Sequence, residues 1–236
     1  FNDMISRLDQ SFEKQKQFVS DASHELRTPI SVIQGYVNLI DRWGKSDTEV
    51  LEESISSIKY ETEHMANLIK QLLFLARTDN KTQTAQLKPE NISIIAEDVV
   101  REATVMDSKI TIKFTGDNSV IANIDEHLIK QLMWIFVDNA IKYSADKPII
   151  INVNTGYENE KPFFTVADKG IGMEQENINH IFDRFYRADQ SRNKEIDGNG
   201  LGLSIAKWII EQHNGHIDVV SEIGKGSCFK ITFPKL

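Results

Sequence analysis

Two stretches of the chain repeat apolar residues at alternating intervals of four and three, and no other feature restricts the possible folds as tightly. Leu26, Ile30, Ile33, Val37 and Ile40 form the first, and Leu51, Ile55, Ile58, Thr62, Met65, Ile69, Leu72 and Ala76 the second. On a helix such spacing gathers the apolar side chains into a narrow seam. The spacing predicts one helix from about Ser11 to Trp43 and another ending near Arg77, with a break at Gly44-Lys45-Ser46-Asp47. Asp47 or Thr48 is the expected N-cap of the second helix, followed by Glu residues in its first turn. Two antiparallel helices cannot bury both seams, but a pair of such hairpins can. The expectation is therefore a homodimer held by a four-helix bundle.

Beyond the second seam the pattern changes. Thr78 to Pro89 is polar and ends in proline, as a linker would. Helices are expected near 92–106, 125–144 and 201–213, and strands near 110–115, 119–124, 149–155, 163–167, 216–221 and 227–233. That alternation predicts an α/β second domain, a mixed sheet covered on one face by helices. A length of 236 residues with 40% hydrophobic content suits two domains. The net charge of −8, without a dense Lys/Arg cluster, argues against nucleic-acid binding. Cys228 is the single cysteine, so no intrachain disulfide forms and a reducing compartment fits. No apolar run approaches the roughly 18 residues of a membrane helix. The chain opens at Phe1 inside a polar, helix-compatible stretch, which leads us to expect an upstream region and a membrane link only through it.

Chemistry concentrates first in Ser23-His24-Glu25-Leu26-Arg27-Thr28-Pro29. Leu26 lies in the seam, so His24, roughly 200° away around the helix, faces solvent. A solvent-facing imidazole can act as a nucleophile, with Glu25 beside it to accept a ring proton. Thr28 falls one turn on, on the same face, where its hydroxyl can orient a water or an incoming group. Pro29 has no N–H, so the Glu25 carbonyl loses its helical partner and the helix gains a joint next to the histidine.

This box resembles the phosphoacceptor motif of the sensor histidine kinases of two-component systems. Further motifs of that family follow in order. Asp138-Asn139-Ala140-Ile141-Lys142-Tyr143 resembles its asparagine box, which implies that Asn139 coordinates Mg²⁺ on the ATP phosphates, that Lys142 neutralises phosphate charge and that Tyr143 lines the nucleotide. Many members carry a second asparagine four residues earlier, where this chain has Ile135. Asp168-Lys169-Gly170-Ile171-Gly172 follows an apolar strand, and the resemblance gives Asp168 the exocyclic amine of adenine, with Gly170 and Gly172 allowing close turns. Gly198-Asn199-Gly200-Leu201-Gly202-Leu203 opens a helix and presents N–H groups to phosphate; its spacing fits neither a Walker loop nor a dinucleotide fingerprint. Between them, Phe182-Asp183-Arg184-Phe185-Tyr186-Arg187 matches an aromatic box that offers Arg184 to phosphate, and the polar stretch to Asp197 has the composition of a lid. Gly224-Lys225-Gly226-Ser227 resembles a third glycine element. His213 and His216 flank a helix stop, and no further ligand completes a metal set.

The resemblance implies a helical dimerisation and phosphotransfer domain over 17–80, preceded by a coiled linker over 1–16. A linker over 81–89 then leads to an ATP-binding domain of the gyrase and chaperone type over 90–236. It also implies ATP and Mg²⁺ as cofactors, autophosphorylation of His24, a response-regulator receiver domain as partner and a regulator phosphatase activity. Two rivals are weighed against it. An ATPase doing conformational work explains Asn139 and Asp168 but not the histidine box. A dimeric scaffold with a decayed site draws support from Ile135 alone.

Overall fold

The computed structural model describes residues 2–44, 46–106, 110–144, 149–188 and 198–236. The chain divides after Ala76 into two units. The first is a helical hairpin of α1 (Asn2–Trp43) and most of α2 (Thr48–Asp79), whose last residues, from Arg77 to Asp79, belong to the second unit. Helix α1 starts nine residues earlier than the Ser11 expected from the seam and passes through Pro29 without interruption. Asp47 caps α2 as anticipated, its Oδ1 accepting from the backbone N–H groups of Glu49 and Val50 at 3.0 and 3.1 Å.

Within one hairpin the seams are only partly covered, as expected of helices that need a second hairpin: Leu26, Ile33, Leu51 and Met65 are half-buried. In α2 the buried residues are Ser54, Leu68 and Leu75, which recur on a seven-residue interval, whereas Ile55 and Ile69 are 54% and 43% exposed. In α1 Pro29 is buried while Ile30 and Val37 lie open. Each helix of a bundle carries an apolar stripe wide enough to serve two neighbours. Ile30, Val37, Ile55 and Ile69 therefore mark a side that this hairpin leaves uncovered, while Leu68 and Leu75 are buried beside it.

The second unit, from Arg77 onward, is an α/β layer structure. A five-stranded sheet has the order β2 (Ile110–Gly116), β4 (Ile149–Glu158), β5 (Lys161–Asp168), β7 (Gly226–Thr232), β6 (His216–Glu222), and only the β2–β4 pair is parallel. Helices α3 (Ile92–Met106), α4 (Glu126–Lys142) and α6 (Gly202–Gln212) cover one face, with a single-turn α5 at Gln175–Ile178. Inward residues alternate along the strands: Ile151 and Val153, Phe164 and Val166, Phe229 and Ile231 are all buried. Phe136 of α4 stacks on Phe229 at 4.8 Å between centroids and so fixes α4 over the sheet's centre.

A separate two-stranded ribbon pairs β1 (Lys88–Asn91) with β3 (Ile121–Ile124). The sequence reads β1 as linker, because Pro89 argues against a strand; in a two-stranded ribbon a residue without an N–H is tolerated. Asp125 joins several elements. Its Oδ1 caps α4 by accepting from Leu128 N–H at 3.1 Å, its Oδ2 accepts from Gln86 N–H at 2.9 Å, and its own N–H donates to Nε2 of buried His213 at 3.0 Å.

Candidate functional site

In the hairpin unit His24 and Thr28 are exposed, four residues apart on one face of α1, as the seam argument required. They line a shallow groove with Glu25, Arg27, Ser31 and Val32. Sequence reasoning does not single out Arg27; standing three residues after His24, it places a cation on the face where an anionic reactant would arrive. Glu25 is half-buried and, among the described residues, makes no hydrogen bond to His24. Adjacent helical residues diverge by roughly 100°, so sequence proximity does not make a hydrogen-bonded pair.

In the second unit the glycine-rich segments converge at one end of the sheet. Asp168 ends β5, and its Oδ1 accepts from Gly170 N–H at 2.7 Å and from Ser227 N–H at 3.2 Å. Burial pushes the Asp168 carboxyl up from its ordinary value, and the two N–H groups oppose that shift. Both bonds fall on one oxygen, which leaves Oδ2 without a partner among the described residues and fixes the direction in which it points. Gly172 has φ +68, and a Cβ there would lie 2.0 Å from the Glu222 carbonyl oxygen, so the turn after Asp168 can press against the β6–β7 turn only as glycine. The carbonyl of Tyr143 accepts from Ile171 N–H at 3.0 Å, which ties the C-terminus of α4 to the same turn.

Asn139 is half-buried in the last turns of α4, and among the described residues its side-chain amide has no partner. Lys142 donates to Asp138 at 2.7 Å in a solvent-screened pair on its own helix, which leaves it able to turn to a second anion. Ile135, one turn before Asn139, reaches Gly202 at the start of α6: a Cβ on that glycine would sit 3.4 Å from Ile135 Cγ2. Leu201 is buried and Leu203 half-buried at the helix opening, which leaves backbone N–H groups rather than side chains to meet a ligand, although the Leu201 N–H donates to Asn199 Oδ1 at 3.4 Å. Gly200 has φ +67 and packs against the backbone of Phe185 and Tyr186, while its carbonyl accepts from Phe185 N–H at 3.0 Å. Phe185 itself holds φ 61, a left-handed conformation uncommon for an aromatic residue, so the aromatic box is held tightly on this loop. At Gly198 nothing within 4 Å requires glycine.

Arg184 is held by a carboxylate of the protein itself. Its Nη1 and Nη2 donate to the two carboxylate oxygens of Asp79 at 2.9 and 2.7 Å, both residues lying in the second unit. Asp79 does not stand out from sequence as a site residue, since it lies in the expected linker approach, and Ser227 does so only as the last residue of the segment that resembles a third glycine element. The lid residues 189–197 lie outside the described residues.

Comparison with known proteins gives two family matches. The His Kinase A (phospho-acceptor) domain matches residues 14–81, and the histidine kinase-, DNA gyrase B- and HSP90-like ATPase matches residues 124–236, which implies ATP binding by the second unit. Sensor histidine kinase YkoH of Bacillus subtilis is 43% identical over 233 residues, 99% of this chain and 50% of the relative. Signal transduction histidine-protein kinase ArlS of Staphylococcus aureus is 42% identical over 235 residues, 99% of this chain and 52% of the relative. The chain thus spans about half the length of these curated relatives. Among solved structures, histidine kinase ThkA in complex with response regulator protein TrrA shares the fold, with a TM-score of 0.73 at 21% identity over 98% of this chain and 66% of that one. With a phospho-acceptor domain followed by an ATPase domain and matched end to end by named kinases, the chain belongs to the sensor histidine kinases of two-component systems.

Proposed function

We propose that this chain uses ATP and Mg²⁺ to phosphorylate its own His24 and then passes the phosphoryl group to an aspartate on the receiver domain of a response regulator. The observation that carries the reading is the presence in one chain of an exposed imidazole in a histidine box and an Asp168 carboxylate aimed by two backbone N–H groups. In the transfer a ring nitrogen of His24 attacks the γ-phosphorus in line. An N–P bond forms, the bond to the bridging oxygen breaks, ADP leaves, and Glu25 takes the imidazole proton. Positioning supplies most of the catalysis.

Asp168 reads the exocyclic amine of adenine through Oδ2, and Gly170 and Gly172 let the backbone close on the base. Gly198, Gly200, Leu201, Gly202 and Leu203 turn N–H groups towards the phosphates, Tyr143 lines the nucleotide, and Lys142 and Arg184 add positive charge. The neutral amide oxygen of Asn139, unpartnered among the described residues, would suit a hard cation such as Mg²⁺. Magnesium held there supplies neutralisation of charge on the phosphates. Ile135 contributes no ligand, so the rest of the shell comes from elsewhere.

The phosphoramidate on His24 is energy-rich, which suits it to hand its group to a carboxylate. That a fold neighbour is a histidine kinase in complex with a response regulator supports this choice of partner. Glu25 and Thr28, on the rim of the same groove, also support promoting dephosphorylation of the regulator. Two copies pair through the open stripes that include Ile30, Val37, Ile55 and Ile69. No described helix is long and apolar enough to cross a membrane; the family resemblance implies attachment of the full-length protein to the membrane through a region outside this sequence, with this part on the cytoplasmic side. Replacing Asn139 with Ala or Asp is expected to abolish labelling of the chain from γ-labelled ATP while the dimer mass is unchanged; undiminished labelling would exclude Asn139 as the metal ligand.

A further inference from the structure

Three residues on adjacent strands form a row at the end of the sheet that carries the nucleotide site. Strands β6 and β7 pair Ser221 with Ser227, and Ser227 in turn reaches Asp168 at the end of β5. Ser221 is 6% exposed, and its Oγ accepts from Met173 N–H at 2.8 Å, lies 3.1 Å from the Gly226 carbonyl oxygen and 2.9 Å from Ser227 Oγ. It therefore joins the turn after Asp168 to the turn before β7 through a single buried hydroxyl.

Counting protons determines what this arrangement does. A serine hydroxyl has one hydrogen to donate. With the Ser221 hydrogen on the Gly226 carbonyl, which can only accept, the 2.9 Å contact carries the Ser227 hydrogen towards Ser221. With its hydrogen committed inward, half-buried Ser227 has only lone pairs to offer a ligand. Beside it stands Asp168 Oδ2, also an acceptor. Two neighbouring acceptors match an amine and repel a carbonyl at the same place.

We infer that Ser221 is a positioning residue for base recognition: by taking the Ser227 proton it makes the base pocket accept hydrogen bonds only, and so favours a 6-amino purine over a 6-oxo purine. The inference rests on the proposed assignment of the base to Asp168. Without the Ser221 hydroxyl the Ser227 hydrogen is free to rotate outward and donate to a carbonyl, and the Met173 N–H loses its buried partner. Discrimination should fall by about the value of one hydrogen bond, roughly tenfold.

The test measures the dissociation constants of ATP and inosine triphosphate on the 236-residue chain, by displacement of a fluorescent ATP analogue, for wild type, Ser221→Ala, Ser227→Ala, the double variant and Asp168→Asn. The expected result is that the ATP-to-ITP preference falls about tenfold in Ser221→Ala, falls similarly in Ser227→Ala, and falls no further in the double variant. Equal weakening of both nucleotides in Ser221→Ala, with the preference intact, would reduce Ser221 to a structural residue and overturn the inference; so would additive losses in the double variant. If Ser221→Ala fails to fold, an unchanged preference in Ser227→Ala overturns it equally. An Asp168→Asn chain that binds ATP as wild type does would remove the base assignment itself, whereas a weakened Asp168→Asn together with an insensitive Ser221→Ala removes the relay alone.

Discussion

Replacing Asp79 with asparagine should tighten ATP binding. Both terminal nitrogens of Arg184 are directed at Asp79, at 2.9 and 2.7 Å, so the arginine that the proposed mechanism brings to phosphate must first leave a carboxylate. The side chains are 33% and 53% exposed, so solvent screens the pair and its net worth is that of a well-formed surface bridge, about 0.5–1 kcal/mol. The amide of the Asp79→Asn variant keeps the shape of the carboxylate but loses its charge. If the pair competes with phosphate, its removal returns that energy to binding, and the dissociation constant falls about two- to fivefold. Calorimetric titration with a non-hydrolysable ATP analogue measures this directly. The gain should shrink as salt is raised, because exposed charges are screened, and should vanish in an Arg184→Ala background. Weaker binding in Asp79→Asn would refute the reasoning, since it would mean that Asp79 aims Arg184 at the nucleotide.

Other expectations follow from the same structure. Glutamate at both Ile55 and Ile69 should convert the dimer to monomer in sedimentation equilibrium without weakening ATP binding, because both residues are open on α2 and far in sequence from the second unit's nucleotide site. Burial lowers the His213 pKa below its ordinary 6.5, so between the two values the unfolded chain binds more protons than the folded one. His213 thus contributes its full stability above that ordinary value, and the contribution is lost as pH falls towards the folded pKa, with a slope of at most about 1.4 kcal/mol per pH unit. Chemical denaturation from pH 7.5 to 5 should show that slope flattened in His213→Gln. Gly200→Ala should weaken ATP at least about tenfold, since its left-handed φ of +67 and a Cβ 2.7 Å from the Phe185 carbonyl carbon both oppose a side chain.

Local periodicity made much of the fold legible. Helices α3, α4 and α6 and all five strands of the main sheet fall close to where alternation and helical spacing located them, because each is long enough to repeat its pattern. Strand β1 is hidden by Pro89, and α5 is a single turn with no period to detect. The hairpin was legible as a hairpin, but not which stripe it buries, since one wide apolar face serves two neighbours and spacing does not assign them. In the candidate site, residues within a few positions of a glycine or the histidine were visible as motifs. Partners set by strand register or long-range folding were not: Ser221 and Ser227 meet Asp168 across three strands, and Asp79 meets Arg184 over 105 residues of chain. Such contacts depend on where β7 and β6 pair and on how distant segments fold back, which no local spacing encodes.

The most direct test is incubation of the wild-type chain and His24→Gln with γ-labelled ATP and Mg²⁺, with the retained label challenged by acid and by base. The account predicts label on the wild type that is lost in acid, survives base, and is absent from His24→Gln. Equal release of free phosphate by both chains with no retained label would contradict it and leave an ATPase of the same nucleotide-binding fold.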